Sequence, residues 1–284
     1  MEIQEIGQNS SYYPIEWQPL LDKPQTLFAI GNVSLIQTRK FTVVGSRRTP
    51  TAARKIGAEI CKDLSSVFTL VTGVADGGDG AAIEGALAGS GRVICLLAGG
   101  FSTLPQGGAS ILDKVIKRGG LLLSPHPYET TVRNFSYEYR NKLLAALGEG
   151  TLVLGAAEKS GALITARYAA DFEKPVFALP YAPNTFAGAG CNALIKKGAH
   201  LTENSFDIFH RFGINCIEKK EEVALSETET RTLETLRTLG EGHISELSAR
   251  SGIPVFKLRA VLAALEVKGR VVTLGGNRFS AVSI

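Results

Sequence analysis

The strongest constraint on this chain is an alternation. From Phe41 to about Phe209, short apolar runs recur at Phe41–Val44, Thr69–Thr72, Val93–Leu97, Leu121–Ser124, Leu152–Leu154 and Val176–Leu179. Between them lie glycine-bearing turns and amphipathic stretches such as Ala52–Leu64, Ala81–Ala88 and Ile111–Lys117. Runs this short and continuous suit strands buried on both faces. Their alternation with helical stretches predicts an α/β domain, a parallel sheet with helices on both sides. In such sheets ligands sit beyond the carboxyl ends of the strands, where the loops diverge.

The flanks have a different character. Residues 1–40 read as an irregular lead-in that packs on the main body, broken by Pro14, Pro19 and Pro24, with a short strand and turn at Leu27–Asn32. The α/β domain is expected over 41–217, and the charged stretch around Glu218–Glu222 gives a linker over 218–225. Residues 226–284 then read as helices at Glu227–Leu239, His243–Ser251 and Val255–Val267. Strands Val271–Leu274 and Arg278–Val282 follow, joined by the hairpin signal Gly275-Gly276-Asn277. Three helices and a hairpin in that order predict a winged helix.

Composition excludes several classes. The N-terminus, Met1 to Ser11, is polar and acidic, unlike a signal peptide. No run approaches the roughly 18–20 apolar residues of a membrane span, so a cytoplasmic protein without membrane contact is expected. Cys61, Cys95, Cys191 and Cys216 have no metal-ligand spacing and read as buried free thiols; no metal or cofactor is expected. The net charge of +4 gives little global pull on polyanions. The charge is nevertheless concentrated: Arg39, Lys40, Arg47, Arg48, Arg54, Lys55 and Lys62 are balanced only by Glu59 over Arg39–Lys62. A local basic patch can gather an anionic partner.

The strand ends carry the candidate site. Gly45-Ser46-Arg47-Arg48 follows the first strand. Glycine lets backbone approach an anion, serine donates, and arginine offers a fork to phosphate. Gly73, Gly77 and Gly78 punctuate the next loop, where Asp79 fits a helix N-cap and a structural role. Gly99 marks a third end. Ser160-Gly161 opens a helix at a fourth, with Ser160 as its N-cap and Thr165 one turn further in. Phe135-Ser136-Tyr137-Glu138-Tyr139-Arg140-Asn141-Lys142 interleaves aromatics with cations, the pattern that stacks bases and tracks a backbone. The dinucleotide fingerprint is absent from the first turn, and there is no P-loop lysine. His126, His200, His210 and His243 have no nucleophile partner, and no carboxylate pair is placed for acid–base work. Several phosphate-friendly loops without a catalytic set point to binding.

Taken in order, these loops resemble the DprA/Smf family of DNA-processing proteins. The markers are Tyr13-Pro14, Val44-Gly45-Ser46-Arg47, Gly73-Val74-Ala75-Asp76-Gly77-Gly78-Asp79, Arg140-Asn141-Lys142, Ser160-Gly161-Ala162-Leu163-Ile164-Thr165-Ala166 and Gly190–Ala199. The resemblance spans roughly Tyr13 to the C-terminus. It implies an extended Rossmann-like domain that binds single-stranded DNA, dimerises, and loads RecA onto incoming strands during natural transformation and recombination. It also implies a small C-terminal winged helix and an N-terminal helical module that is absent or reduced. The implied DNA contacts are Gly45, Ser46, Arg47, Arg48, Gly73, Gly77, Gly99, Tyr137, Arg140, Asn141, Lys142, Ser160 and Gly161. The sequence departs from the family pattern at Gly78, Ile83, Glu138 and Lys142.

Two other readings compete. A nucleotide or nucleoside-monophosphate hydrolase on a related scaffold would want a Pro-Gly-Gly-x-Gly-Thr loop, which Pro105–Ser110 lacks. A winged-helix transcription regulator would need several groove and phosphate contacts. Its presumed recognition helix offers only Lys257 and Arg259 near its start, and residues 224–284 hold eight Lys/Arg against six Asp/Glu.

Overall fold

A computed structural model describes residues 2–104, 109–215 and 225–282. The chain divides into two compact units, Met1–Cys216 and Ile217–Ile284. The predicted linker over 218–225 lies, except for Leu225, outside the described residues, as do Cys216 and the Pro105–Gly108 stretch.

The larger unit begins with β1 (Gln4–Gly7), β2 (Thr26–Gly31), β3 (Lys40–Val44), α1 (Thr51–Leu64), β4 (Thr69–Thr72) and α2 (Gly78–Ala88). It continues through β5 (Val93–Leu96), α3 (Ala109–Lys117), β6 (Leu121–Ser124), α4 (Asn134–Leu147), β7 (Thr151–Val153) and α5 (Gly161–Asp171). It ends with β8 (Val176–Ala178), α6 (Ala189–Lys196), β9 (His200–Leu201) and α7 (Ser205–Arg211). The nine strands form one sheet in the order β1-β2-β6-β5-β4-β3-β7-β8-β9. From β6 to β9 every pairing is parallel. Side chains alternate across it as the period of two requires. Val44, Val71, Ile94 and Val153 join a core layer with α4 and α5, while Val43, Leu70, Cys95 and Leu152 join another with α1 and α2.

The lead-in is more ordered than expected. β2 pairs antiparallel with β6, and β1 with β2, so the first 40 residues widen the sheet. The prolines that argued against structure sit between the two strands. The only tryptophan, Trp17, is fully buried there, and its indole nitrogen donates to the Leu143 carbonyl of α4 at 3.0 Å. Lys40 is 3% exposed; it pairs with Glu16 at 2.8 Å and donates to the carbonyls of Ile36 and Thr38.

The smaller unit runs α8 (Glu227–Leu239), β10 (Glu241–His243), α9 (Ile244–Ser251), α10 (Val255–Val267), β11 (Val271–Gly275) and β12 (Arg278–Ala281). Leu233, Leu236, Leu247, Leu258, Leu262 and Leu265 close its own core. Ser226 and Glu229 cap α8 reciprocally, and Lys268 pairs with Glu229 at 2.8 Å. The turn of the hairpin uses Gly276 and Asn277 at positive φ, as expected of its sequence. β10 was not predicted; a glycine between two polar residues has no strand signature, and its pairing with β12 creates it.

Among the described residues, no helix is long and apolar enough to cross a membrane. Cys61, Cys95 and Cys191 are free and buried, and burial pushes their thiol pKa values up.

Candidate nucleic-acid interface

The strand order reverses at β3. From there the chain adds β4, β5 and β6 on one side and β7, β8 and β9 on the other. Loops leaving β3 and β7 must diverge, and the crevice opens between them. Gly45-Ser46-Arg47 follows β3, and the segment ending in Ser160-Gly161 follows β7. The Ser46 amide donates to the Gly155 carbonyl at 2.8 Å, so the two loops are tied together. The Ser46 carbonyl accepts from the Gly78 amide and from the amide and hydroxyl of Thr49. This turn is rigid at its backbone, while the Arg47 and Arg48 side chains are exposed.

The glycines of the second loop do something other than meet an anion. Gly45 and Gly78 press backbone to backbone: a Cβ on Gly45 would lie 2.7 Å from the Gly78 Cα, and one on Gly78 would overlap the Gly45 Cα. The Gly78 departure thus has a physical reason in this chain. Gly77 has φ +83°, and a side chain there would overlap the Ser46 carbonyl. Gly73 is buried and leaves room for the side chains of Arg140 and Asp79. Gly99 packs under Val132 and the Thr130 carbonyl. Gly73, Gly77 and Gly99 are therefore held by close packing, and none of them is among the residues lining the three clefts along this edge. Ile83, the second departure in this loop, is 2% exposed in the core.

Asp79 sits in the first turn of α2, whose N-cap is Gly77. Its carboxylate accepts from the amides of Gly45 (3.3 Å) and Ala75 (3.4 Å). Arg140 reaches it from α4, Nη1 to Oδ2 3.8 Å, with both side chains at or below 10% exposure. Burial pushes the Asp79 carboxyl up and the Arg140 guanidinium down, and each charge opposes the shift of the other. Arg140 thus neutralises Asp79 beneath the turn, and the Arg47 charge above is left for a ligand. Arg140, read from the sequence as a DNA contact, is thus also part of the buried structure beneath the turn.

The rest of α4 divides by face. Tyr137 is 42% exposed at the crevice. Asn141 is buried, and its amide donates to the Gly161 carbonyl at 3.1 Å, which joins α4 to the start of α5. Lys142 donates to Asp22 at 2.6 Å and is not among the residues lining the clefts along this edge. Glu138 accepts from Arg167 and from the Tyr168 hydroxyl, so its charge is met on the flank of α5.

Three adjoining clefts run along this edge, and Arg47 lines all of them. The central one, about 320 Å³, brings together Gly45, Ser46, Arg47, Tyr137, Arg140, Asn141, Ser160 and Gly161. One neighbour, about 400 Å³, adds Arg48, Lys159 and Phe186; the other, about 600 Å³, extends past Tyr137 and Arg140 to Leu97 and Ala98. Ser160 caps α5 as expected, accepting from the Ala162 amide at 3.3 Å. Thr165 is fully buried at the central cleft, and its hydroxyl has no hydrogen-bond partner among the described residues. Phe186, 71% exposed, was not foreseen, because a lone aromatic in a loop before α6 has no periodicity to expose it.

Residues 4–213 match the family model of DNA recombination-mediator protein A, and residues 220–277 that of the DprA winged helix domain. The chain is 29% identical to Protein Smf of Escherichia coli over 283 residues, 96% of this chain and 76% of that protein. It is 32% identical to DNA processing protein DprA of Bacillus subtilis over 210 residues, 73% and 70% of the two chains. DNA processing protein A of Streptococcus pneumoniae superposes with a TM-score of 0.69 at 29% identity, covering 74% of each chain. DNA processing protein A of Helicobacter pylori, studied for its single-stranded DNA binding mode, gives 0.67 at 26% identity, covering 75% of this chain and 96% of that one. With two family models spanning both units, the chain belongs to the DprA/Smf family of DNA-processing proteins.

Proposed function

We propose that this chain binds single-stranded DNA along the trough at the carboxyl ends of β3 and β7 and passes the strand to the RecA recombinase. The observation that carries this reading is that Arg47 borders three clefts in a row. A single small phosphate would need one pocket, whereas a polymer needs a path. Arg48 and Lys159 supply further cations along it, and Tyr137 and Phe186 offer exposed rings for bases to stack on. Asp79, the carboxylate of the central cleft, is held by Arg140 and two amides in a structural role, which favours binding over turnover there. The same reading has the chain protect incoming DNA during natural transformation and recombination, as a homodimer through its larger unit. Buried free thiols suit the reducing cytoplasm where RecA would be met.

Arg47→Ala is the direct test. Loss of one phosphate contact should weaken binding of an oligothymidine by about tenfold and lower the slope of log K against log salt by about 0.7. Melting should be unchanged, because the side chain is exposed. The same oligonucleotide in duplex form should bind more weakly to the parent. Parent-like affinity and salt slope in the variant would remove Arg47 from the site.

A further inference from the structure

Helix α10 has two apolar faces. Leu258, Leu262 and Leu265 are buried in the core of the smaller unit. On the other side Phe256, Ala260, Ala263 and Val267 are exposed, Phe256 by 72% and Val267 by 90%. At 3.6 residues per turn these four fall within an arc of about 60°. Their spacing of four, three and four residues is that of a coiled-coil seam. A helix placed to read duplex DNA would present polar groups along such a stripe.

We propose that this face pairs antiparallel with the same face of a second copy of the chain, so that the winged-helix units associate in twos. A two-fold axis midway between Ala260 and Ala263 sets Phe256 against the second copy's Val267, and Ala260 against its Ala263. The alanines allow close approach at the centre, and the larger side chains fill the ends. The flanks select the direction. Arg259 and Glu266 lie on the same side of the seam, one heptad apart. Antiparallel helices bring like sides together, so Arg259 of each copy meets Glu266 of the other, twice by symmetry. A Glu266 oxygen also accepts from the Thr273 hydroxyl at 2.9 Å, which orients the carboxylate. Parallel pairing would set Arg259 beside Ala264 and forfeit both ion pairs. Such a short helix pair buries less than the roughly 1,200 Å² of a standard interface. It is a weak contact that gains from effective concentration when copies share one DNA strand.

The test uses the full chain in a Cys216→Ser background; Cys61, Cys95 and Cys191 are buried. Chains with Phe256→Cys are mixed with chains with Val267→Cys under mild oxidation. A disulfide-linked dimer is expected in the mixture and from neither variant alone, since like positions would stand about 16 Å apart along the pair. Adding Arg259→Glu to both chains, or Glu266→Arg to both, should lower the yield by about tenfold, and the two reversals together should restore it. Linkage of Phe256→Cys to itself would show parallel pairing and overturn the proposal. Yields indifferent to the charge reversals would overturn it too. So would no linkage at any concentration from variants that keep the parent's circular dichroism. If duplex DNA occupies this face instead, oligonucleotide binding will fall with Arg259→Glu and rise with Glu266→Arg while no disulfide forms, which also overturns it.

Discussion

Arg140→Leu should unfold the larger unit at a temperature lower by on the order of 10 °C. The guanidinium is 10% exposed, and its partner Asp79 is 6% exposed. Removing one member of a buried ion pair leaves the other charge desolvated and uncompensated, a cost of about 3–5 kcal/mol. In a unit of this size each kcal/mol moves the midpoint by roughly 2–4 °C. Two amide bonds to Asp79 from Gly45 and Ala75 would remain, and they hold the loss towards the lower end. Asp79→Asn in the Arg140→Leu chain should recover part of the loss, because no net charge is then buried and the two changes are not additive. Affinity for single-stranded DNA should fall as well, since an unneutralised carboxylate would lie beneath Arg47. Thermal melting followed by circular dichroism separates this from a simple DNA contact. If Arg140→Leu melts with the parent while binding is lost, Arg140 acts on the ligand and not on the fold.

Gly78→Ala should both destabilise the unit and weaken DNA binding. The added methyl would overlap the Gly45 Cα and lie 2.8 Å from the Gly45 amide nitrogen. Backbone on both sides offers no flexible end that can swing away. Overpacking of this kind costs about 1–3 kcal/mol. The strain is relieved only by moving the turn after β3 off α2, which carries Arg47 out of the crevice. Binding should drop by about tenfold, the worth of one charge-assisted contact. Gly80→Ala is the control. A Cβ there meets only the Ala75 carbonyl at 3.9 Å, so alanine should be neutral or stabilise α2 by up to about 1 kcal/mol. If Gly78→Ala and Gly80→Ala behave alike, the close contact with Gly45 is not what the glycine serves.

These two results also mark where the sequence is informative. The strands β4 and β6 are read to the residue from apolar runs, and the helices α8 and α10 from helical spacing. Buried strands and three-turn helices leave strong local signals. β1 leaves almost none, because its pairing partner β2 lies some twenty residues away and a four-residue edge strand has little pattern. The site is legible in part for a related reason. Arg47, Tyr137 and Ser160 are found because cations, aromatics and caps near strand ends have recognisable chemistry. The packing of Gly73, Gly77 and Gly99 is not legible, because glycine serves close packing and ligand approach equally well, and only neighbours in space tell these apart. Arg140 and Lys142 look alike in sequence, yet one is sealed over Asp79 and the other is tied to Asp22. Which partner an arginine or lysine finds is a tertiary fact.

Trp17 gives this protein a spectroscopic handle of unusual selectivity. It is the sole indole of the chain, it has no solvent exposure, and its nitrogen is bound to a carbonyl two residues beyond Asn141 on α4. Emission excited in the red edge of the absorption band, away from tyrosine, therefore comes from one place: the seam where the N-terminal segment rests on the helix that presents Tyr137. Any displacement of that helix is written into the colour of a natural chromophore, without a label and in the intact chain.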